Sequence, residues 1–193
     1  TYIVPDRAAA KLSDLDSPPG IIAVVRRGLN DLATLLASGR PLALLAGIND
    51  PGNAGTLLRT AEFFGFGGAI FGSAGAEPHN PKVVRASMGA IFRLPIAAAS
   101  PASLRQAAEA GSYTVVAAAG DGRPLDGFRF PERTILAVGN ERRGLDGWVL
   151  QGDPRVAIPQ KGRGESLNAA AAGSIIMYVL MQQSDRASDA ARR

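Results

Sequence analysis

The 193-residue sequence contains no cysteine, which excludes a disulfide framework, a thiolate nucleophile and a cysteine-rich zinc site. It has one histidine, His79, and so almost no capacity for imidazole chemistry. It lacks a long apolar run: the stretch from Ala169 to Met181 is interrupted by Gly173 and Ser174 and falls short of the roughly 20 residues that cross a bilayer. There is no Walker A pattern and no G-x-G-x-x-G after a strand, which argues against nucleoside-triphosphate and Rossmann sites. The first residues carry neither a basic n-region nor an apolar h-region, so no signal peptide is expected and a cytoplasmic location is.

What is present is the composition of a globular chain. Hydrophobic residues make up 46% and charged residues 20%, enough apolar surface for a core at a length near the upper end of one domain. The net charge is +4 and the positive side chains are almost all arginine, whose planar fork suits phosphate. Nucleic acid is therefore a candidate partner, although GC-rich coding alone would produce the same arginine, alanine and glycine bias.

Apolar runs alternate with helical patterns along the chain. After the break at Pro18, Pro19 and Gly20, the β-branched run Ile21–Val25 reads as a strand, and a helix capped by Asn30 carries Leu32, Leu35 and Leu36. A strand at Leu42–Ile48 leads through a turn at Asn49–Gly55 to a helix over 56–64 and a strand at Ala69–Phe71. Then come a loop at Ala74–Pro81, a helix at Lys82–Met88, a strand near Ile91–Leu94, a helix at Ser103–Ala110 and a strand at Tyr113–Ala118. Strands at Thr134–Val138 and Arg155–Ile158 precede a final helix from about Leu167 to Gln183, with a frayed tail beyond it. Near-continuous Val, Ile, Leu and Ala strands separated by helices predict an α/β fold, a parallel sheet with helices on both faces.

In such a sheet ligands bind beyond the carboxyl ends of the strands, and three loops there stand out. In Asn49-Asp50-Pro51-Gly52-Asn53-Ala54-Gly55, Asn53 is a candidate N-cap, and a glycine turn feeding a helix that carries Arg59 can hold an anion. An ordinary capped turn explains the same residues. Gly139-Asn140-Glu141-Arg142-Arg143-Gly144 places one carboxylate between glycines, where Glu141 could hold Arg59 or form a surface ion pair worth under about 1 kcal/mol. In Ile158-Pro159-Gln160-Lys161-Gly162-Arg163-Gly164-Glu165-Ser166-Leu167-Asn168, a cap accounts for one polar residue and leaves the glycines, Lys161 and Arg163 unexplained. The run Gly164 to Asn168 also approaches a hydrolase nucleophile elbow, but Asn168 replaces the second glycine and only His79 could act as base.

Together and in this order, the three loops resemble the signature of the SpoU/TrmH branch of the SPOUT RNA ribose methyltransferases. Asn53, Gly55, Arg59 and Ala61 match N-x-G-x-x-x-R-x-A; Gly139, Glu141 and Gly144 match G-x-E-x-x-G; Ile158 through Asn168 match I-P-x-x-G-x-x-x-S-L-N. The resemblance spans about Ile21 to Gln183 and implies an α/β-knot whose C-terminal segment threads a trefoil. It implies S-adenosyl-L-methionine as cofactor, with contacts at Gly139, Ile158 and Leu167, and methyl transfer to a ribose 2′-hydroxyl without a metal. Arg59 inherits the catalytic role, with Asn53, Glu141, Ser166 and Asn168 holding it and the ribose by hydrogen bonds. An arginine is a poor base because its pKa lies above about 12, so orienting the hydroxyl is its expected task.

The resemblance further implies a homodimer whose interface completes the site, and RNA rather than DNA or membrane as partner. Arg26, Arg27, Arg142, Arg143, Lys161 and Arg163 are candidates for phosphate contact. Residues 1–20 look like the connector that follows a small substrate-binding domain in ribosomal RNA members, with the methyltransferase domain over 21–193. That favours ribosomal RNA; a transfer RNA enzyme and a noncatalytic knotted RNA-binding relative are the alternatives.

Overall fold

The computed structural model describes residues 1–191 apart from 14, 16, 18, 19, 27, 141–143, 146 and 165. In chain order the strands are β1 (Leu42–Ala46), β2 (Gly68–Gly72), β3 (Ile96–Ala99), β4 (Thr114–Pro124), β5 (Thr134–Gly139) and β6 (Arg155–Ala157). The helices are α1 (Asp6–Leu12), α2 (Leu32–Ala37), α3 (Pro51–Phe63), α4 (Pro81–Ala86), α5 (Pro101–Ala110) and α6 (Ala169–Ala191). The sheet order is β3-β2-β1-β5-β4-β6, with parallel pairing throughout. The chain starts at the centre, runs outward to β3, then fills the other half, inserting β5 beside β1.

Side chains along a strand alternate between faces, and here both faces are covered. Leu42, Leu44 and Ala46 pack with Leu35 and Leu36 of α2 and Leu104 of α5. Their neighbours Ala43 and Leu45 pack with Leu57 and Leu58 of α3, Val83 of α4 and Met177 of α6. Burial on both sides is why these strands read as unbroken apolar runs. The expected fold class therefore stands.

Several local expectations do not. Ile21–Val25 forms no strand: Ile21 and Val24 are almost fully exposed, because β-branched residues make a strand only where a sheet edge pairs with them. Asn30 is not the cap of α2. Its N–H donates to the Ile96 carbonyl at 2.7 Å and its side-chain oxygen accepts from the Ile96 N–H at 3.0 Å, closing the start of the β3 edge. Asp31 caps α2 instead, and hydrogen bonds from Thr34, its side chain first, hold the Asp31 carboxyl below its ordinary value. That cap contributes above the ordinary carboxylate range and is lost as pH falls through the lowered pKa.

Ile91–Leu94 is a 3₁₀ turn (Ala90–Phe92) and not a strand; Ile91 and Leu94 are buried beside α3, and the strand begins after Pro95. Arg93 donates to Glu62 at 2.8 Å, tying this turn to α3 and holding the Glu62 carboxyl below its ordinary value. Asp50, not Asn53, caps α3, accepting from the Asn53 N–H at 2.7 Å with Pro51 at the first helical position. Aspartate followed by proline is the signal that identifies it. At the C-terminus α6 continues past Gln183 to Ala191 in place of a frayed tail.

Gly55 of the first motif is buried where α4 ends against α3, and a methyl there would lie 2.8 Å from backbone atoms of Ala86 and Ser87. The glycine serves close helix packing rather than an anion cradle. Gly55→Ala is expected to cost about 1–3 kcal/mol despite alanine's better helix propensity, because the crowding atoms are backbone and cannot rotate away. Urea unfolding of the two proteins measures it.

Candidate active site

The middle of β4, at residues 118–120, and the carboxyl ends of β5 and β6 border a cavity of about 780 Å³, which the loops after β5 and β6 and the first turns of α6 also line. The volume suits a nucleoside-sized ligand. Its walls combine apolar side chains, among them Val138, Leu145, Val149 and Ile158, with glycines at 120, 139, 144, 147, 162 and 164 that expose backbone groups. Apolar faces with backbone donors and acceptors at their rims fit an adenine ring packed flat and read along its edge. Gly139, Ile158 and Leu167 all line this cavity, and so does Ser166.

Gly139 ends β5 where the following turn folds back. Asn140 and Gly144 exchange backbone hydrogen bonds at 3.0 and 2.9 Å, and a methyl on Gly139 would sit 2.6 Å from the Gly144 carbonyl carbon. The Asn140 side chain donates to the Gly47 carbonyl at 3.0 Å, joining the exits of β5 and β1. After β6, the Gln160 amide donates to the carbonyls of Gly162 and Gly164, which folds the glycine-rich loop upon itself at the cavity mouth.

The first and third motifs meet. The Asn168 amide nitrogen donates to the Asn53 side-chain oxygen at 3.0 Å, while the Asn168 oxygen accepts from the N–H groups of Ala170 and Ala171 at 2.9 and 3.1 Å. Asn168 thus caps α6 and clasps its N-terminus to the first turn of α3. Farther along, Thr60 and Ser174 hydroxyls pair at 3.0 Å.

Arg59 is where expectation and structure part. Its side chain is exposed and makes no hydrogen bond or ion pair among the described residues; neither Asn53, Ser166 nor Asn168 holds it. The reason is helical phase: Arg59 shares the outward stripe of α3 with Thr56 and Phe63, whereas Asn53 turns toward α6. Glu141 lies outside the described residues, as do Arg27, Arg142 and Arg143. Arg26, Lys161 and Arg163 are exposed. Ser166 has no hydrogen bond to His79, so the hydrolase reading gains no base. Reasoning from sequence missed Asn140 and Gln160, both inside the motifs as unspecified positions, and the cavity residues at 118–120, which lie inside β4 where its pairing with β6 shifts register and whose signal was a glycine within a strand pattern.

A parallel α/β sheet with a nucleoside-sized cavity beyond its carboxyl ends, clasped to a helix by paired asparagines, defines a nucleoside-cofactor α/β protein. The chain belongs to the SpoU rRNA Methylase family, whose profile matches residues 41–178. It is 30% identical over 181 residues to RlmP of Bacillus subtilis, a 23S rRNA guanosine 2′-O-methyltransferase, covering 93% of this chain and 71% of the relative. It is 33% identical over 177 residues to a 23S rRNA uridine 2′-O-methyltransferase of Streptomyces viridochromogenes, covering 87% of this chain and 62% of that one. The crystal structure of the SpoU methyltransferase AviRb from Streptomyces viridochromogenes, in complex with AdoMet, matches with a TM-score of 0.86 and 30% identity over 95% of this chain and 72% of AviRb. The sheet and its helices are those of a SpoU methyltransferase.

Proposed function

We propose that the chain transfers a methyl group from S-adenosyl-L-methionine to a ribose 2′-hydroxyl of RNA, ribosomal RNA in preference to transfer RNA, as a cytoplasmic homodimer. One observation carries this reading: the cavity collects Gly139, Ile158 and Leu167, from the second and third motifs, beside the Asn53–Asn168 clasp that ties in the first. The rRNA preference follows the two relatives named above. No helix among the described residues is long and apolar enough to cross a membrane, which accords with the location.

When bound, S-adenosylmethionine supplies an electrophilic methyl on its sulfonium. The chain's own residues do the rest. Backbone groups at Gly139, Ile158 and Leu167 would hold the adenosine end, and Ser166 on the cavity wall would offer its hydroxyl to the ribose. Asn53 and Asn168 fix the two helix ends. Arg59 carries N–H donors and no acceptor, so it would orient the ribose hydroxyl by donating to its oxygen. Glu141 steadies Arg59 or the ribose.

A dimer would give a use to Arg59, which has no partner among the described residues. Its stripe on α3 includes Phe63, 80% exposed, and the adjoining face of α6 shows Tyr178 at 51% and Ile175 at 43%. The Phe64 ring bridges them, 5.3 Å from Phe63 and 5.7 Å from Tyr178. An exposed apolar patch beside an unpaired cation is an interface feature, and a second copy seated there would bring Arg59 to the site. Residues 1–20 serve as a connector to a substrate-binding unit: α1 buries none of its residues, and Tyr2 and Ile3 are fully open.

The test is calorimetric titration with S-adenosylmethionine beside light scattering, followed by incubation of unmodified 23S rRNA with methyl-labelled cofactor. A dimer that binds the cofactor and leaves label on a ribose 2′-oxygen supports the reading. A monomer that ignores the cofactor overturns it, and a dimer that binds but transfers nothing to any RNA assigns the noncatalytic alternative.

A further inference from the structure

We infer that Arg105 is a positioning residue for the cavity: through Asp153 it holds the loop between β5 and β6 in the shape that accepts the cofactor. The inference rests on the cavity being the S-adenosylmethionine site. That loop supplies Leu145, Gly147 and Val149 to the wall, yet its described residues form neither helix nor strand. Its shape must come from anchors. At its start stands the Asn140–Gly144 bridge; at its end stands Asp153, gripped from α5, an element that contributes nothing to the cavity.

The grip is bidentate. Arg105 Nη1 donates to Asp153 Oδ1 at 3.1 Å and Nη2 to Oδ2 at 2.7 Å, and Nη2 also reaches the Trp148 carbonyl at 3.4 Å. Asp153 Oδ2 accepts in addition from the Leu150 N–H at 2.7 Å. The two side chains are 25% and 13% exposed, far less open than the Arg155–Asp121 pair, whose aspartate is 70% exposed. Forked geometry with partial desolvation separates this pair from ordinary surface ion pairs. The Trp148 ring meanwhile lies against Gly72, where a methyl would meet its Cη2 at 2.9 Å. Arg105 thus sets the backbone of Trp148 while Gly72 seats its ring, and the residues on either side, Gly147 and Val149, face the cavity.

Trp148 is the only tryptophan, so its emission reports the loop directly. The experiment measures S-adenosylmethionine affinity by calorimetry, Trp148 emission, melting temperature and kcat at saturating cofactor for wild type, Arg105→Ala, Arg105→Lys, Asp153→Asn and the Arg105→Ala/Asp153→Asn double variant. If the anchored loop falls to about a tenth of molecules, Kd rises about tenfold. The single variants are expected to show that rise, with emission shifted to the red without cofactor and restored by it, and kcat within about twofold. The double variant should bind like either single one, since both break one link. Arg105→Lys, which keeps the charge and loses the fork, should fall between and serves where the alanine variant does not fold. A lowered melting temperature with unchanged Kd and emission would make the pair merely structural and overturn the inference. Failure of the wild type itself to bind would instead overturn the cofactor assignment on which it stands.

Discussion

Arg59→Ala is expected to lower methyl transfer by about 10²–10³-fold or more, with cofactor affinity and melting temperature unchanged. The structure supplies the reason for the second half. α3 is held by Ala54, Leu57, Leu58 and Ala61, all buried, while the Arg59 side chain is exposed and makes no hydrogen bond or ion pair among the described residues. Alanine is also the best helix former, so nothing in the fold depends on this side chain. With light scattering showing the same oligomeric state for both proteins, a loss of rate is a loss of chemistry. Arg59→Lys should recover little, because one rotating ammonium does not reproduce a planar fork aimed at an oxygen and its neighbouring phosphate. Single-turnover transfer of labelled methyl to RNA gives the magnitude. If Arg59 orients the hydroxyl and takes no proton, the residual activity of Arg59→Ala keeps the wild-type pH profile; a profile that changes shape would return the arginine to a proton-transfer role. A retained rate would remove it from the site altogether.

The sheet was legible where burial is two-sided. β1, β5 and the start of β4 announce themselves as apolar runs, and Leu42–Ala46 and residues 134–138 and 115–117 are buried; β4 runs on beyond the expected end at Ala118 to Pro124, through exposed Gly120, Asp121 and Arg123 that carry no strand pattern. Legibility failed where hydrophobicity has another use. Ile21–Val25 is as β-branched as any strand, but no edge receives it, and Ile91 and Leu94 are apolar because a 3₁₀ turn presses them on α3. Pattern records how apolar a segment is, and partners decide what it becomes.

The site divides in the same way. The motif glycines and asparagines were visible as a set, yet their tasks were not. Gly55 looked like an anion turn and is a helix contact; Asn53 looked like a cap and is capped by Asp50; Asn168 looked like one polar residue among several and joins two helices. The wall around Trp148 depends on Arg105 and Asp153, which lie 48 positions apart and carry no local pattern. Such long-range links exist only once α5 and the loop after β5 have been placed on the same side of the sheet.

Asn168 permits the sharpest separation of structure from function, because its two ends do different things. Its oxygen accepts from Ala170 and Ala171 and caps α6, and its nitrogen donates to Asn53. Asn168→Ala removes both. Loss of the cap costs about 1 kcal/mol, which for a chain of this size lowers the melting temperature by about 2–4 °C. Asn168→Asp keeps the accepting oxygen, adds a negative charge that the helix N-terminus favours, and puts an acceptor where Asn53 needs a donor. Its melting temperature should match the wild type, yet two side-chain oxygens now face each other across the clasp and push α3 and α6 apart at their first turns. Transfer is then expected to fall by about 10²-fold, the loss that follows when a reacting constellation is displaced by about an ångström. Cofactor affinity should fall less than transfer, because α6 supplies only one wall, at Ala169 and Ala172, while Gly139 and Ile158 belong to other elements. Thermal unfolding, calorimetry and single-turnover assays on the three proteins make the comparison. Should Asn168→Asp transfer methyl at the wild-type rate, the clasp would be a cap and nothing more, with no part in setting the geometry of transfer.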